Sequence, residues 1–331
     1  MDFKMWIKAI RIIPRINKEE WDKLDIISKW LISTRSAVLV MTMLSSAVGG
    51  IFTLIDGKFD LAAFLVCFFG LTFAHATNNL LNDLVDYIKG VDKENYYRTQ
   101  YGPQPLENGF LPLKKYMLYI LFTGLIAFSF GVYLIWLRGI SALILFLMGS
   151  FFLLFYTWPL KYFGLGEFAV IAVWGPLMIG GTYFVTANEW SWLAVLGGLP
   201  YALGVTTVLF GKHIDKLEAD KMKNINTLPV IIGESAARKT VIIMTGLQYI
   251  IVIALVIAGV FHPVLLITLV ALKTFYGLFK AYSKELPDEK PEGYRSDIWP
   301  LWFVAFAFDH NKKFGGLFLL GLIIQLILIL L

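Results

Sequence analysis

The strongest chemical signal in the sequence is a run of amide and carboxylate side chains that closes a long apolar segment. Residues 61–81 contain no Asp, Glu, Lys or Arg. Because each helical residue turns by about 100°, four oxygen-bearing side chains fall on one face: Asn79, Asn82, Asp83 and Asp86. Mg²⁺ typically takes one or two protein carboxylates and fills its other positions with water and substrate phosphate. The spacing therefore predicts a magnesium site at a membrane edge rather than a solvated helix end, since ionisable groups beside a span usually mark function.

The composition places this motif in a membrane protein. Of the 331 residues, 58% are hydrophobic and 16% are charged, which is too little charge for the surface of a soluble domain. Nine segments are long enough to cross about 30 Å of hydrocarbon: 37–55, 61–81, 116–137, 139–159, 168–188, 190–210, 240–260, 263–280 and 314–331. The break after His262 reflects Pro263, because Pro breaks or kinks a helix. The apolar stretch 298–308 is too short to span and is expected to be re-entrant or interfacial.

The distribution of basic residues orients these spans. Of the 29 Lys and Arg residues, only Lys58 and Arg138 fall on the side opposite the N-terminus, and basic residues concentrate on the cytoplasmic side of membrane proteins. We therefore expect a multi-pass protein of the cell (cytoplasmic) membrane, with a cytoplasmic N-terminus and cytoplasmic polar loops. The net charge of +5 follows from this topology and from contact with anionic membrane lipid, so no nucleic-acid partner is expected.

Two regions are expected along the chain. Residues 1–36 carry eight basic side chains and no cleavable signal. They are predicted to form a cytoplasmic amphipathic segment, with one helix over 3–13 on the inner leaflet and a second over 18–34. Residues 37–331 are predicted to form a nine-helix transmembrane domain. Its Asp-rich cytoplasmic loops are placed at 82–115 and 211–239.

The second loop has the residue types to join the first in phosphate chemistry. Acidic and basic side chains again follow a span directly: Lys212, His213, Asp215, Glu218 and Asp220. Two acidic clusters on one membrane face can hold a pair of Mg²⁺ ions, and nearby Lys and Arg residues complete an anion site for a diphosphate. Metal ions that neutralise this leaving group would let it depart from an allylic carbon. The apolar spans would accommodate a long isoprenoid chain.

This combination resembles the UbiA-type intramembrane prenyltransferases, which have nine spans and Asp-rich cytoplasmic loops after spans two and six. The first loop is most similar to the branch that acts on 1,4-dihydroxy-2-naphthoate in menaquinone biosynthesis, with its Asn-x-x-Asn-Asp-x-x-Asp-Tyr pattern and a following Gly-x-Asp. The matching residues are Asn79, Asn82, Asp83, Asp86, Tyr87, Gly90 and Asp92. Matches within 156–183 and at Thr227-Leu228-Pro229-Val230 extend the resemblance over most of the chain.

The second loop departs from the family pattern. The family has two Asp residues four apart ahead of its Thr-Leu-Pro. Here Asp220 takes the second place, Lys216 takes the first, and Asp215 lies one residue off. On a regular helix Asp215 and Glu218 share one face while Asp220 lies on another. Either the helix is wound differently here, or Asp215 and Glu218 replace one ligand.

The resemblance implies a role for each of these polar residues. One Mg²⁺ is expected on Asn82, Asp83 and Asp86 with support from Asn79, and a second on Asp220 with Asp215 or Glu218. Lys212 and Arg98 are expected to hold the diphosphate. The catalytic set is then Asp83, Asp86, Asp220 and Lys212. Further candidates for substrate contact are His213, Lys89, which is otherwise an inside-positive charge, and Tyr156, which is otherwise an interfacial aromatic anchor.

We therefore expect an all-α, polytopic membrane protein with nine transmembrane helices in a UbiA-type bundle. The predicted reaction moves a polyprenyl group from an allylic diphosphate to an aromatic or quinone-precursor acceptor, 1,4-dihydroxy-2-naphthoate being one candidate. A lipid-alcohol or carotenoid acceptor is the alternative within the family. An ion-coupled transporter is the alternative from another class, but transport carboxylates usually lie near the bilayer midplane. The Asp-Gly-x-x-Ala-Arg signature of a phosphatidyl-alcohol transferase is absent.

Overall fold

The computed structural model describes residues 1–91, 102–296 and 298–331. Within these residues the secondary structure is helical, apart from one isolated β-bridge between Phe163 and Asn226. Helices are the expected form of apolar segments in a membrane, because a helix satisfies its backbone N–H and C=O groups within the segment.

The N-terminal segment contains three short helices. They are α1 (Phe3–Arg11), α2 (Lys18–Lys23) and α3 (Ile26–Ser33). As predicted, α1 combines exposed apolar residues with basic ones, a composition that suits a helix lying on a membrane surface. The single helix predicted over 18–34 is instead two helices. The reason is Asp25, whose carboxylate accepts hydrogen bonds from the backbone N–H groups of Ile27 and Ser28 and so caps a new helix start.

Eight helices within the described residues are long and apolar enough to cross a membrane. They are α4 (Ser36–Ile55), α5 (Leu61–Ile88), α6 (Leu113–Arg138), α8 (Gly166–Ala187), α9 (Trp192–Asp215), α12 (Glu234–Ile257), α13 (Pro263–Tyr282) and α14 (Phe303–Leu330). A further apolar helix, α7 (Ile140–Phe155), has 16 residues. Two short helices, α10 (Leu217–Met222) and α11 (Leu228–Ile232), follow α9. Each predicted span falls on one of these long helices or on α7, so the predicted all-α membrane fold is confirmed.

Helix boundaries near the polar motifs differ from the sequence prediction. α5 continues to Ile88, so the first acidic motif lies on the helix and the loop predicted at 82–115 starts later. Gly90 ends this helix at φ 65°, where the N–H of Val91 bonds to the carbonyl of Asp86 at 2.9 Å. The loop predicted at 211–239 is likewise shorter, because α9 runs to its fifth residue and α12 begins before its end.

The final helix also starts earlier than predicted. α14 begins at Phe303 and contains most of the stretch 298–308 that is expected to be re-entrant or interfacial. A polar run that includes His310 and Asn311 separates this stretch from the last apolar segment in the sequence. In the structure both side chains are buried on a continuous helix, so the polar run does not end the span.

The chain divides into two compact units. The first comprises Met1–Met43 and Leu65–Trp158, and the second comprises Leu44–Phe64 and Pro159–Leu331. In the first unit Leu80 and Leu84, each one residue after a motif residue of α5, are buried in a cluster with Trp21 and Tyr116. Burial of a leucine side chain contributes roughly 1.5–3 kcal/mol. This packing fixes the rotation of α5 and therefore the direction of its polar face.

In the second unit α9 is the most deeply buried of the candidate spans, and it packs against α8, α12 and α14. Gly211 permits a close approach near its end. A Cβ at this position would lie 2.8 Å from the backbone N of Val304 and 2.6 Å from the Tyr282 hydroxyl. The lack of a side chain thus brings the first turn of α14 against the last turn of α9, where the second polar motif begins.

Candidate functional site

The first acidic motif occupies the end of α5, and its four predicted ligands share one buried face. The exposed fraction of Asn79, Asn82, Asp83 and Asp86 lies between 4% and 8%. The structure therefore brings together, within the first unit, the four side chains that the helical spacing selects. Buried carboxylates are costly unless they are paired with cations or hydrogen-bond donors, so the partners of this face are informative.

The two amides of the motif are held by their nitrogen atoms. Asn79 Nδ2 donates to the backbone carbonyl of Thr34 at 2.8 Å, and Asn82 Nδ2 donates to Thr157 Oγ1 at 3.0 Å. An amide has separate donor and acceptor ends. Fixing the nitrogen sets the orientation of each side chain and leaves its carbonyl oxygen as the acceptor end. Each amide therefore keeps an oxygen that can act as a ligand.

Arg35 is a member of this site that sequence reasoning missed. Its guanidinium forms an ion pair with Asp83, and both side chains are largely buried. Arg35 has a left-handed backbone conformation, φ 53°, in the junction between α3 and α4. Thr34, the partner of Asn79, is the preceding residue, so one junction contacts the motif twice. The available signal was an arginine directly before an uncharged span, at the same predicted membrane face as the motif.

The donor set of the first motif fits Mg²⁺. Two carboxylates and two oriented amide oxygens are the hard oxygen ligands that this ion takes in proteins. Arg35 supplies positive charge beside them, and guanidinium groups bind phosphate as readily as carboxylate. This part of the structure can therefore hold both a divalent ion and a phosphate group.

The second motif is built differently. Lys216 donates a hydrogen bond to Asp220 Oδ1 at 3.0 Å, and both side chains are buried. The other carboxylate oxygen, Asp220 Oδ2, is buried and has no hydrogen-bond partner within the described residues. A buried acceptor of this kind calls for a ligand or a water molecule. The motif thus contains one buried carboxylate that is half neutralised by an ammonium group.

Asp215, an expected metal ligand, is hydrogen-bonded to the start of α14. Its Oδ1 accepts the backbone N–H of Phe303 at 2.8 Å, and its Oδ2 accepts that of Val304 at 3.0 Å. The first N–H groups of a helix have no partner within the helix, and a carboxylate there also suits the helix dipole. Asp215 therefore caps α14 from α9, with both oxygens occupied.

His213, an expected diphosphate contact, is paired with a carboxylate. Its Nδ1 lies 2.6 Å from Glu167 Oε1, and the two side chains are 1% and 2% exposed. Glu167 lies in the first turn of α8, so this pair joins α8 to the last turn of α9. Sequence reasoning missed Glu167 as a partner, because 46 residues separate the two side chains.

The other predicted residues have varied surroundings. Glu218, the alternative to Asp215 as the second ligand beside Asp220, is exposed, whereas Asp220 two residues later on α10 is buried. Lys212 is half-buried in the last turn of α9. Lys89 is exposed with its ammonium 5.0 Å from the Trp158 ring centroid, a cation–π contact. Tyr156 is half-buried directly after α7. Arg98 lies outside the described residues.

Comparison with known proteins finds one matching family and distant relatives. The model of the UbiA prenyltransferase family matches residues 42–295. 1,4-Dihydroxy-2-naphthoate octaprenyltransferase from Bacillus subtilis is 24% identical over 303 residues, which are 88% of this chain and 91% of that protein. UbiA prenyltransferase domain-containing protein 1 from Danio rerio is 26% identical over 187 residues, 54% of this chain and 53% of that protein. The chain thus spans about half the length of the Danio relative.

The same fold occurs among solved structures. A UbiA homolog from Archaeoglobus fulgidus, whose structure contains GPP and Mg²⁺, aligns with a TM-score of 0.59 at 14% identity. The alignment covers 88% of this chain and 99% of the Archaeoglobus chain. At this identity the likeness is one of fold.

Proposed function

We propose that this chain, which belongs to the UbiA prenyltransferase family, transfers a polyprenyl group from an allylic diphosphate to an aromatic or quinone-precursor acceptor. One observation carries the proposal. Four buried oxygen donors, Asn79, Asn82, Asp83 and Asp86, share one face at the end of a span, beside the guanidinium of Arg35. Grouped carboxylates, amides and a basic side chain at the edge of apolar helices suit a substrate with a charged diphosphate and a long apolar tail.

In this proposal the first motif holds Mg²⁺, as the fold relative that contains GPP and Mg²⁺ suggests. The bound ion would neutralise the diphosphate as it leaves the allylic carbon. Asp83 and Asp86 would bind the ion through carboxylate oxygens, and Asn79 and Asn82 would add amide oxygens. Arg35 orients Asp83 and can donate to a phosphate oxygen. Lys212, Lys89 and Tyr156 are retained as candidate substrate contacts.

The aromatic acceptor is supported by the Bacillus relative, which aligns over nearly all of its own length and is named for 1,4-dihydroxy-2-naphthoate. A ring carbon of such an acceptor would attack the allylic cation formed as the C–O bond to the diphosphate breaks, and the ring would then lose a proton or, from a carboxylate substituent, carbon dioxide. The identity of 24% supports the class of acceptor more strongly than the particular compound.

The donor is proposed to be long. Each CH₂ group that leaves water contributes about 0.8 kcal/mol, and the apolar helices offer a membrane environment for a chain of four or more isoprene units. We expect geranylgeranyl diphosphate to have a much higher kcat/KM than dimethylallyl diphosphate. An equal kcat/KM with dimethylallyl diphosphate would contradict the proposal that the donor is long.

The direct test uses purified protein in lipid nanodiscs with labelled geranylgeranyl diphosphate, Mg²⁺ and a panel of acceptors. The panel includes hydroxynaphthoates, hydroxybenzoates and lipid alcohols. We expect labelled product with a ring acceptor, complete loss of product in EDTA and recovery on addition of Mg²⁺. Product with a lipid alcohol alone would overturn the aromatic acceptor. Full activity in EDTA would contradict the proposed requirement for a divalent metal ion.

The orientation of the chain is proposed from its basic residues, with both polar motifs at the cytoplasmic face. Cys67 is buried, so a Cys67→Ser background allows single cysteines to be placed elsewhere. In intact cells an impermeant thiol reagent should label Lys58→Cys and spare Lys223→Cys. Labelling of position 223 from outside would reverse the proposed topology.

A further inference from the structure

The second motif presents a cation where the sequence resemblance predicts a carboxylate. Lys216 precedes Asp220 by four residues, and its ammonium lies 3.0 Å from Asp220 Oδ1. The side chains are 7% and 2% exposed. The pair is therefore a buried ion pair at the start of α10, within the second unit.

Of the other two carboxylates of the described second motif, one is committed to the backbone and the other is exposed. Both oxygens of Asp215 accept backbone N–H groups of α14, and Glu218 is exposed. A divalent ion here would rest on one protein oxygen, Asp220 Oδ2, close to a buried ammonium that repels it.

The charge of the motif leads to the same conclusion. Two aspartates at positions 216 and 220 would carry two negative charges, which one Mg²⁺ would neutralise. Lys216 and Asp220 together are already neutral without a metal. Replacing aspartate by lysine at position 216 therefore reproduces the net charge of a metal-loaded pair.

We propose that Lys216 takes the place of a second metal ion, and that its ammonium binds an oxygen of the substrate diphosphate directly. The inference rests on the proposed function, since it assumes a diphosphate substrate. Asp220 is then a positioning residue that holds the ammonium. The chain would then use a single divalent ion in place of the pair that the sequence predicts.

The hydrogen bonding of Lys216 is consistent with a ligand at this position. An ammonium group has three N–H donors, and within the described residues Asp220 Oδ1 is the hydrogen-bond partner recorded for Nζ. Donors therefore remain for a phosphate oxygen, and lysine is a common phosphate ligand in proteins. A buried ammonium gains more from such a contact than an exposed one, because water competes less.

The number of bound metal ions tests the proposal without requiring turnover. We would count Mn²⁺ per chain by electron paramagnetic resonance in nanodiscs, with saturating geranylgeranyl thiolodiphosphate, a donor analogue that does not ionise. Wild type should bind one Mn²⁺, and Asp83→Asn should bind none. Lys216→Asp restores a second carboxylate and removes the ammonium, so it should bind two. Two ions in wild type, or one in Lys216→Asp, would overturn the proposal.

Conservative variants of Lys216 distinguish direct binding of the diphosphate from a purely structural ion pair with Asp220. They also test the proposal if Lys216→Asp does not fold. Lys216→Gln should keep one Mn²⁺ but bind the analogue about tenfold more weakly, the usual effect of losing a hydrogen bond to a charged group. Lys216→Arg should restore most of that affinity. The exchanged variant Lys216→Asp/Asp220→Lys keeps an ion pair but moves the cation. Its thermal stability should stay near wild type while analogue affinity falls. Wild-type affinity in Lys216→Gln or in the exchanged variant would contradict direct contact.

These outcomes are distinguishable from failure of the proposed function. If wild type forms no product with any acceptor, the proposed reaction fails, whatever the metal count. If wild type forms product and binds two Mn²⁺ ions, the reaction stands and the role of Lys216 fails.

Discussion

The two polar motifs contain similar residue types but are organised in opposite ways. In the first motif, two amides are held by their nitrogen atoms and two carboxylates are buried beside one guanidinium, so oxygen donors dominate. In the second motif Asp220 pairs with Lys216, and both oxygens of Asp215 accept backbone N–H groups of α14. The comparison teaches that an acidic residue near a membrane face can serve in a helix cap or an ion pair as well as in a metal site, depending on the partners that its oxygens meet.

Substitution of the first-motif carboxylates should give the largest effect. Asp83→Asn and Asp86→Asn keep the size of each side chain but remove the charge that is proposed to bind Mg²⁺. We expect transfer to fall at least about 100-fold, as when an electrostatic contact to a leaving group is removed. The measurement is the initial rate at saturating Mg²⁺, with correct folding checked by size-exclusion chromatography and thermal unfolding.

A matched control for this prediction is Asp56→Asn. Asp56 accepts a hydrogen bond from the Tyr183 hydroxyl at 2.5 Å, in the second unit and away from both motifs along the chain. The same chemical change there should leave the transfer rate near wild type. If Asp83→Asn and Asp86→Asn kept more than about a tenth of the wild-type rate, the first motif would no longer be the metal site.

Arg35→Gln should give the next largest effect, and it should lower both the Mg²⁺ concentration for half-maximal rate and the maximal rate. Loss of the guanidinium removes a positive charge beside Asp83, so the Mg²⁺ concentration for half-maximal rate should fall. The maximal rate should also fall, by about tenfold, because Asp83 loses its orienting partner and the diphosphate loses a donor. Titration of the rate with Mg²⁺ measures both parameters. An unchanged Mg²⁺ requirement would separate Arg35 from the metal face.

The sequence predicted the membrane fold, the family and the shared polar face of the first motif, because each rests on a local pattern. Spans follow from runs of apolar residues, and the face that carries Asn79 and Asp83 follows from helical periodicity. The errors concern partners that are distant in sequence. Asp215 meets the start of α14, 88 residues away, and Asp83 meets Arg35, 48 residues away. Local spacing contains no information on these contacts, which arise when helices pack.

The contrast between the motifs also predicts a stability effect with little effect on chemistry. Asp215→Ala would leave two buried backbone N–H groups of α14 without partners. Loss of a helix cap typically costs about 0.5–2 kcal/mol, and a buried unsatisfied group costs about 1–3 kcal/mol. The midpoint of thermal unfolding should fall, while the transfer rate per folded molecule should stay within about twofold of wild type, a change of less than about 0.5 kcal/mol in barrier.

Asp215→Asn is the informative companion of that variant. The side-chain oxygen of asparagine still accepts one of the two backbone N–H groups, whereas its amide nitrogen cannot accept the other, so part of the stability should return. A severe loss of transfer in Asp215→Asn with normal stability would instead return Asp215 to the metal site and weaken the contrast between the two motifs.

The smallest effect is expected at Glu218. Its side chain is exposed on α10, two residues before buried Asp220, and exposed substitutions usually change stability by less than about 0.5 kcal/mol. Glu218→Gln should therefore leave the transfer rate, the Mg²⁺ requirement and thermal unfolding at their wild-type values.

The most discriminating experiment on Glu218 combines Glu218→Gln with Lys216→Asp and counts the bound Mn²⁺ ions. If the second Mn²⁺ of that variant rests on positions 216 and 220 alone, adding Glu218→Gln should not release it. A raised Mg²⁺ requirement in the single variant, or loss of the second ion in the double variant, would make Glu218 a ligand and give the second motif its own metal chemistry.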